Sequence, residues 1–179
     1  KRVRNNIKNQ GHTNSYNRTT EFAASRQSRS EMGISMIESD TIKLLRECDA
    51  GIKMGIVSIA EILDDVKDGQ LEKMLVMCKE GHEKLQKEIQ MLLEKYHDTG
   101  KNPNPMAQSM SWIKTNVKLA MEDTDATVAD LMTDGCNMGV KSLSRYLNQY
   151  KAADEQSKNI AKRLIQLEEG LSVNMRSYL

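Results

Sequence analysis

The chain has 179 residues, a formal net charge of +1, 39% hydrophobic and only 4% aromatic residues. That length is enough to bury a continuous core as one domain without disulfides or a structural metal, and 12 Met against one Trp and one Phe favour helices over sheets. No apolar run approaches the roughly 20 residues that span a bilayer, and no signal-peptide centre is present, so the expectation is a cytoplasmic protein that engages no membrane.

Charge is unevenly placed. Residues 1–31 carry 7 basic and 2 acidic side chains, and residues 32–179 carry 19 and 23. Residues 1–31 are rich in Asn, Ser, Thr, Arg and Gln, and their apolar residues Val3, Ile7, Tyr16 and Phe22 fall at no useful period. This composition predicts a disordered basic tail over 1–36 ahead of a four-helix bundle domain over 37–179. The tail reads as a nucleic-acid arm, as a transit peptide, as a glycosylation acceptor at Asn17-Arg18-Thr19, or as sequence upstream of a start at Met32 or Met36.

From Ser39 the apolar residues Leu45, Cys48, Ile52, Ile56, Ile59, Leu63 and Val66 alternate steps of three and four, the period of a helix face. Ser39 or Asp40 is the expected N-cap, and Lys67-Asp68-Gly69 marks a tight turn. A second stripe runs Leu71, Leu75, Cys78, His82, Leu85, Ile89, Leu92 and Tyr96, with His97 closing the helix where a cation would offset the helix dipole. Beyond Asn102-Pro103-Asn104-Pro105, the residues Met106, Met110, Ile113 and Val117 predict a short crossover helix, ended by Asp123-Thr124-Asp125. A third helix carries Val128, Leu131, Gly135, Met138, Leu143 and Tyr150; a fourth carries Ser157, Ile160, Leu164, Leu167, Leu171 and Met175. The fold class that follows is all-α: an antiparallel four-helix bundle of two helical hairpins joined by a long crossover containing a short helix.

The first and third helices share a text. Gly51-Ile52-Lys53-Met54-Gly55-Ile56-Val57-Ser58-Ile59 and Gly135-Cys136-Asn137-Met138-Gly139-Val140-Lys141-Ser142-Leu143 both fit G-x-x-M-G-[I/V]-x-S-[I/L]. Glycine costs about 1 kcal/mol in a helix interior, so Gly51, Gly55, Gly135 and Gly139 are candidate helix-packing positions. Close approach of two backbones is the simplest reason for them, and room for a ligand is the other.

This internal repeat, with Asn104-Pro105-Met106 through Trp112-Ile113-Lys114 and Asp134-Gly135-Cys136 through Leu147, resembles the ferritin-like superfamily, and within it a bacterial group from anaerobic Firmicutes to which no activity is attached. The superfamily resemblance implies a place for a di-iron centre, built from a Glu on each of two helices and Glu-x-x-His on each of the others. Here Lys79 stands three residues before His82, and the fourth helix has no His, so the conventional di-iron site is absent. Glu47, His82 and Asp134 are the candidates for an altered iron or manganese ligand set. Against that, His82 also reads as a core histidine bonded to a Ser, an Asp or a backbone carbonyl.

Cys48, Cys78 and Cys136 are odd in number and lack metal spacing, so they read as reduced core thiols. Glu168-Glu169 reads as a solvated face. No nucleotide loop, nucleophile elbow or zinc-protease signature occurs, and the acidic body disfavours nucleic-acid binding by the bundle. Trp112 and Leu119, a heptad apart and off the crossover stripe, are candidates for an interface. The reading that results is a non-enzymatic structural or protein-interaction bundle with no cofactor, forming a homo-oligomer or meeting a protein partner.

Overall fold

The computed structural model describes residues 13–102 and 124–179, with the side chains of residues 13–25 and 27 outside that description. The crossover stripe, Trp112 and Leu119 lie outside the described residues. Within them there are four α-helices and no strand: α1 (Thr13–Ile62), α2 (Gly69–Lys95), α3 (Thr124–Gln149) and α4 (Glu155–Met175), with a 3-10 turn, Leu63–Asp65, after α1. None of these helices is long and apolar enough to cross a membrane.

Helix α1 begins far upstream of Ser39. Between residues 13 and 50 there is no Pro and a single Gly, Gly33, so nothing in the stretch stops a helix. Helical backbone therefore covers much of the segment whose composition suggested disorder. Ser39 and Asp40 lie inside the helix, which corrects their expected capping role. Asp40 and its neighbour Thr41 serve another turn instead. The Asp40 carboxylate accepts from the Ala152 amide at 3.0 Å, and the Thr41 hydroxyl accepts from the Asp154 amide at 2.9 Å. Asp154 in turn caps α4, accepting from the Ser157 amide at 2.7 Å, a local bond that satisfies an orphan donor of the first turn.

The α1–α2 turn is held in a matching way. Asp68 caps α2, its Oδ1 accepting from the Gln70 and Leu71 amides and from the Tyr178 hydroxyl. The Lys67 and Asp68 amides donate to the two carboxylate oxygens of Asp125 in α3, at 2.8 and 3.0 Å. At its other end α2 closes with His97 in the left-handed region (φ 53°). The His97 amide donates to Glu94 and the Asp98 amide to Leu93, the paired bonds that satisfy the last carbonyls of a helix.

The segment after α2 is moored to α1. Asp49, 1% exposed, accepts from Lys53 Nζ at 2.7 Å and from the Lys101 amide at 3.0 Å. Gly100, at φ +79°, faces the same carboxylate. Arg46 pairs with Asp98. Asp49→Ala takes the acceptor from the part-buried Lys101 amide and leaves Lys53 Nζ with only its longer bonds to the Lys101 carbonyl and Asn102, so it is expected to lower the urea-unfolding free energy by about 1–2 kcal/mol; a change below about 0.5 kcal/mol would show that water replaces the carboxylate.

The core consists of two apolar clusters. One gathers Leu44, Leu45, Cys48, Ile52, Leu85, Ile89, Leu92, Leu93, Leu143, Ile160 and Leu164, with Tyr96, Tyr146 and Tyr150 at its edge. The other gathers Ile59, Ile62, Leu71, Leu75, Cys78, Val128, Met132, Cys136, Leu171 and Met175. Each cluster draws on all four helices.

Candidate functional site

Between the two clusters lies one layer of a different character, to which each helix gives one residue. Along α1, Gly55 falls between Ile52 and Ile59; along α2, His82 falls between Cys78 and Leu85. Along α3, Gly139 falls between Cys136 and Leu143; along α4, Glu168 falls between Leu164 and Leu171. His82 and Glu168 meet at the centre, with Nε2 to Oε1 at 3.0 Å and side-chain exposures of 1% and 13%.

Both ring nitrogens of His82 face acceptors. Nδ1 lies 2.9 Å from the Cys78 carbonyl oxygen one turn back on α2, and Nε2 faces the Glu168 carboxylate. An imidazole satisfies two acceptors only as the imidazolium, which donates from both nitrogens. Burial opposes that charge, but the bonds to Cys78 and the Glu168 carboxylate outweigh it and hold the His82 pKa at about 10. The layer is a buried ion pair with its hydrogen bonds complete.

Two of the buried thiols are held protonated. Burial, reinforced by the Glu168 carboxylate to which it hydrogen-bonds, pushes the Cys136 thiol far above its ordinary range. Burial with Glu47 and Asp49 nearby pushes Cys48 up to about 12. Thiolate chemistry requires the opposite shift. The Cys78 sulfur lies 3.6 Å from Nδ1, on the ring edge away from Glu168, so it does not converge on Nε2 as a shared ligand set would require.

Glu47, His82 and Asp134 are not brought together. Glu47 is half-buried at the far end of the first cluster, where Lys101 Nζ binds it at 2.7 Å and Tyr146 hydrogen-bonds to it. Asp134 is exposed on α3. Among the described residues, no group of three or more His, Cys, Asp or Glu side chains is placed to hold a metal ion.

The four repeat glycines divide into two kinds. A Cβ on Gly55 would stand 2.8 Å from His82 Nε2, and one on Gly139 would stand 3.3 Å from Glu168 Cδ. These two make room for the ion pair rather than for a neighbouring backbone. Gly51 and Gly135 are exposed, and a Cβ on either would meet nothing within 4 Å. Their packing role is therefore not borne by any described contact. Gly51→Ala and Gly135→Ala are each expected to raise stability by about 0.5–1 kcal/mol, since they remove glycine's backbone entropy at open positions. Gly55→Ala is expected to lower it by about 1–2 kcal/mol, because the imidazole is pinned at both nitrogens and cannot yield. Thermal unfolding of the three variants checks the opposite signs.

Glu168 is the residue the sequence reading misses. It is neither solvated nor paired with Glu169's surface; it occupies a core position. The signal is present in α4, where 157, 161, 164, 168, 171 and 175 form an unbroken alternation of four and three, and the carboxylate stands where that count calls for an apolar residue.

No protein-family model matches the chain, and no curated protein matches it in sequence. Among solved structures, the crystal structure of a DUF305 fragment from Deinococcus radiodurans is similar, with a TM-score of 0.62 over 77% of this chain and 93% of that one, at 11% identity. At that identity the likeness is one of fold: an all-α arrangement of long helices shared by the two chains.

Proposed function

We propose that the chain is a ferritin-like antiparallel bundle of two hairpins that works through protein contact and catalyses nothing at its centre. The hairpin arrangement is supported by the short α1–α2 and α3–α4 turns and by bonds tying Arg46 to Asp98 at one end and Lys67 to Asp125 at the other. The central layer supports the absence of a metal-dependent activity. The first and third helices give Gly55 and Gly139 to this layer and no carboxylate, and the space beside them is filled by His82 bonded to Glu168. The buried free cysteines suit a reducing cytoplasm.

The observation that carries the contact reading is on α1. Its core stripe does not stop where the bundle ends. Ile34 and Ile37 continue the three-and-four alternation of Thr41, Leu44/Leu45, Cys48 and Ile52, yet they are 62% and 46% exposed, while Leu44, Leu45 and Cys48 are fully buried. An apolar stripe outside its own bundle marks a surface for another polypeptide. On this reading the bundle domain over 37–179 carries the upstream half of α1 as a projecting arm. The test is a photo-reactive amino acid at position 37 of the full chain in cells. Covalent adducts to another polypeptide, of this chain or a different one, support contact through the arm, and their complete absence overturns it. Elemental analysis after aerobic iron and manganese loading covers the chemistry: one or two metal ions per chain, lost on His82→Gln, would overturn the closed centre.

A further inference from the structure

The segment that follows α2 lies along the outward side of α1 and points in a definite direction. Arg46, Asp49 and Lys53 hold successive parts of it: Asp98 through its carboxylate, Lys101 through its amide at 3.0 Å, and Asn102 through its side-chain oxygen at 3.4 Å. The partners advance together, so the chain leaves Asn102 heading toward the C-terminal end of α1. Thr124, where the description resumes, opens α3 beside that end, and Asp125 there accepts from the Lys67 amide at 2.8 Å. Lys53 and Lys67 are roughly 20 Å apart at 1.5 Å per residue, well within the reach of residues 103–123.

Arg46, Lys53, Val57 and Ala60 fall within about 60° of one another in helical rotation at about 100° per residue, on the side of α1 away from Cys48, Ile52 and Ile59 of the core. That side changes character where the described segment stops. Met54, Val57 and Ala60 are exposed, Val57 at 45%. From 54 to 60 the sequence has no charged side chain, so α1 is uncharged all round for almost two turns, the pattern of a helix covered on both sides. Acids follow at Glu61, Asp64 and Asp65. Glu61 Oε2 and Asp65 Oδ2 are buried yet have no hydrogen-bond partner among the described residues, a costly state for a carboxylate oxygen.

We infer that the outward face of α1 from Met54 to Asp65 is a docking surface for the chain's own residues 103–123, which continue the course set by Asp98–Asn102. Sequence and charge fit that occupant. The segment has Met106, Met110, Ile113 and Val117 among its apolar residues, and from 103 to 121 its charges are Lys114 and Lys118, both basic. With its ends fixed beside Lys53 and Lys67, the path is a little over half complete at Lys114 and about three quarters complete at Lys118, abreast of Glu61 and Asp64. Met106 and Met110 then fall abreast of Val57. Apolar before basic along the segment thus meets apolar before acidic along α1, and the carboxylates gain the donors they lack. The face so covered is withdrawn from any partner, which leaves Ile34 and Ile37 as the apolar part of α1 open to contact. This inference goes beyond the contact reading and does not rest on it.

The experiment is cysteine cross-linking in the full chain, whose own Cys48, Cys78 and Cys136 are buried. Val57→Cys is paired with Met106→Cys and, separately, with Met110→Cys; Met77→Cys on α2, at a position 69% exposed, is paired with Met110→Cys as the control. Circular dichroism of each reduced variant confirms the helical fold before oxidation. Copper phenanthroline is expected to close an intrachain disulfide in at least one Val57→Cys pair while the control stays open, read by peptide mass after digestion. In a second measurement, Val57→Lys is expected to lower the folding equilibrium constant at least about tenfold, the loss of one buried valine, and Met77→Lys to change it within about threefold. No disulfide in either Val57→Cys pair, a disulfide only between chains, a control that closes as fast, or a Val57→Lys effect within about threefold overturns the proposal. Adducts at position 37 in cells bear on the contact reading alone, so each can fail without the other.

Discussion

Glu168→Ala is expected to lower the unfolding free energy by about 3–5 kcal/mol, the largest effect of any single side chain outside the apolar clusters. The cause is less the loss of a favourable contact than the imidazolium left behind. His82 is 1% exposed, its two N–H groups need two acceptors, and the substitution removes one without admitting a replacement. Deprotonation of the ring would relieve part of the cost, which is why the value falls short of the price of an isolated buried charge. The double variant His82→Leu/Glu168→Leu should behave differently. With both partners gone the layer becomes apolar and continuous with the clusters on either side, and stability is expected to return to within about 2 kcal/mol of the parent chain or to exceed it. Urea unfolding at neutral pH of Glu168→Ala and of the double variant separates these terms. A Glu168→Ala cost below about 1 kcal/mol would show that the pair is solvated and carries little.

The second large effect is on pH dependence. The folded His82 pKa of about 10 lies above its ordinary 6.5, so the folded chain holds a proton that the unfolded chain releases. The stability from this pair is fully present below about pH 6.5 and falls as pH rises toward 10. Between pH 7 and 9 the loss is expected at about 1 kcal/mol per pH unit, the differential of one bound proton. Above about pH 8 the raised thiols Cys48 and Cys136 add a loss of the same sign, because the unfolded thiols ionise there and the folded ones do not. The window from 7 to 8 therefore belongs to His82. His82→Leu/Glu168→Leu is expected to flatten it; an unchanged slope in that variant would assign the alkaline loss to other groups.

Much of the scaffold is legible in the sequence because apolar spacing and the breakers agree. The stripes on α2, α3 and α4, the turn at Lys67-Asp68-Gly69 and the end of α2 near Tyr96 all follow from where Leu, Ile and Val recur and where they stop. Helix α1 is different. Its start was obscured because upstream of Ile34 the apolar residues of the sequence follow no helical period, and periodicity reads packing, whereas propensity and the lack of a breaker are what permit the helix there. Asp40 looked like a cap for a related reason: its side chain does bind backbone amides, but those of a turn 112 residues away. At the centre, His82 was visible as a polar ring on an apolar stripe, and Gly55 and Gly139 as a matched pair. Glu168 was not, since a Glu followed by a Glu in a charged helix reads as surface by composition. Only the three-dimensional count, one residue per helix in one layer, joins the two glycines to the two charges. Glu47 and Asp134 drew attention as acids near stripes, but a stripe fixes the face of a helix and not the height along the bundle at which residues meet.

The way the two inter-helix turns are held bears on how the chain folds and unfolds. The turn between α1 and α2 has its amides bonded by Asp125, which belongs to α3, and the turn between α3 and α4 has its amides bonded by Asp40 and Thr41, which belong to α1. Each half of the molecule thus supplies the acceptors that the other half's turn lacks. Neither helical pair is expected to be as stable alone, however regular its own apolar stripe, because part of the bonding of its turn comes from the other pair. Loss of one half exposes the other's turn amides at the same moment that it opens both apolar clusters. The bundle should therefore pass between its folded and unfolded forms in a single cooperative step, with no half-folded hairpin accumulating between them.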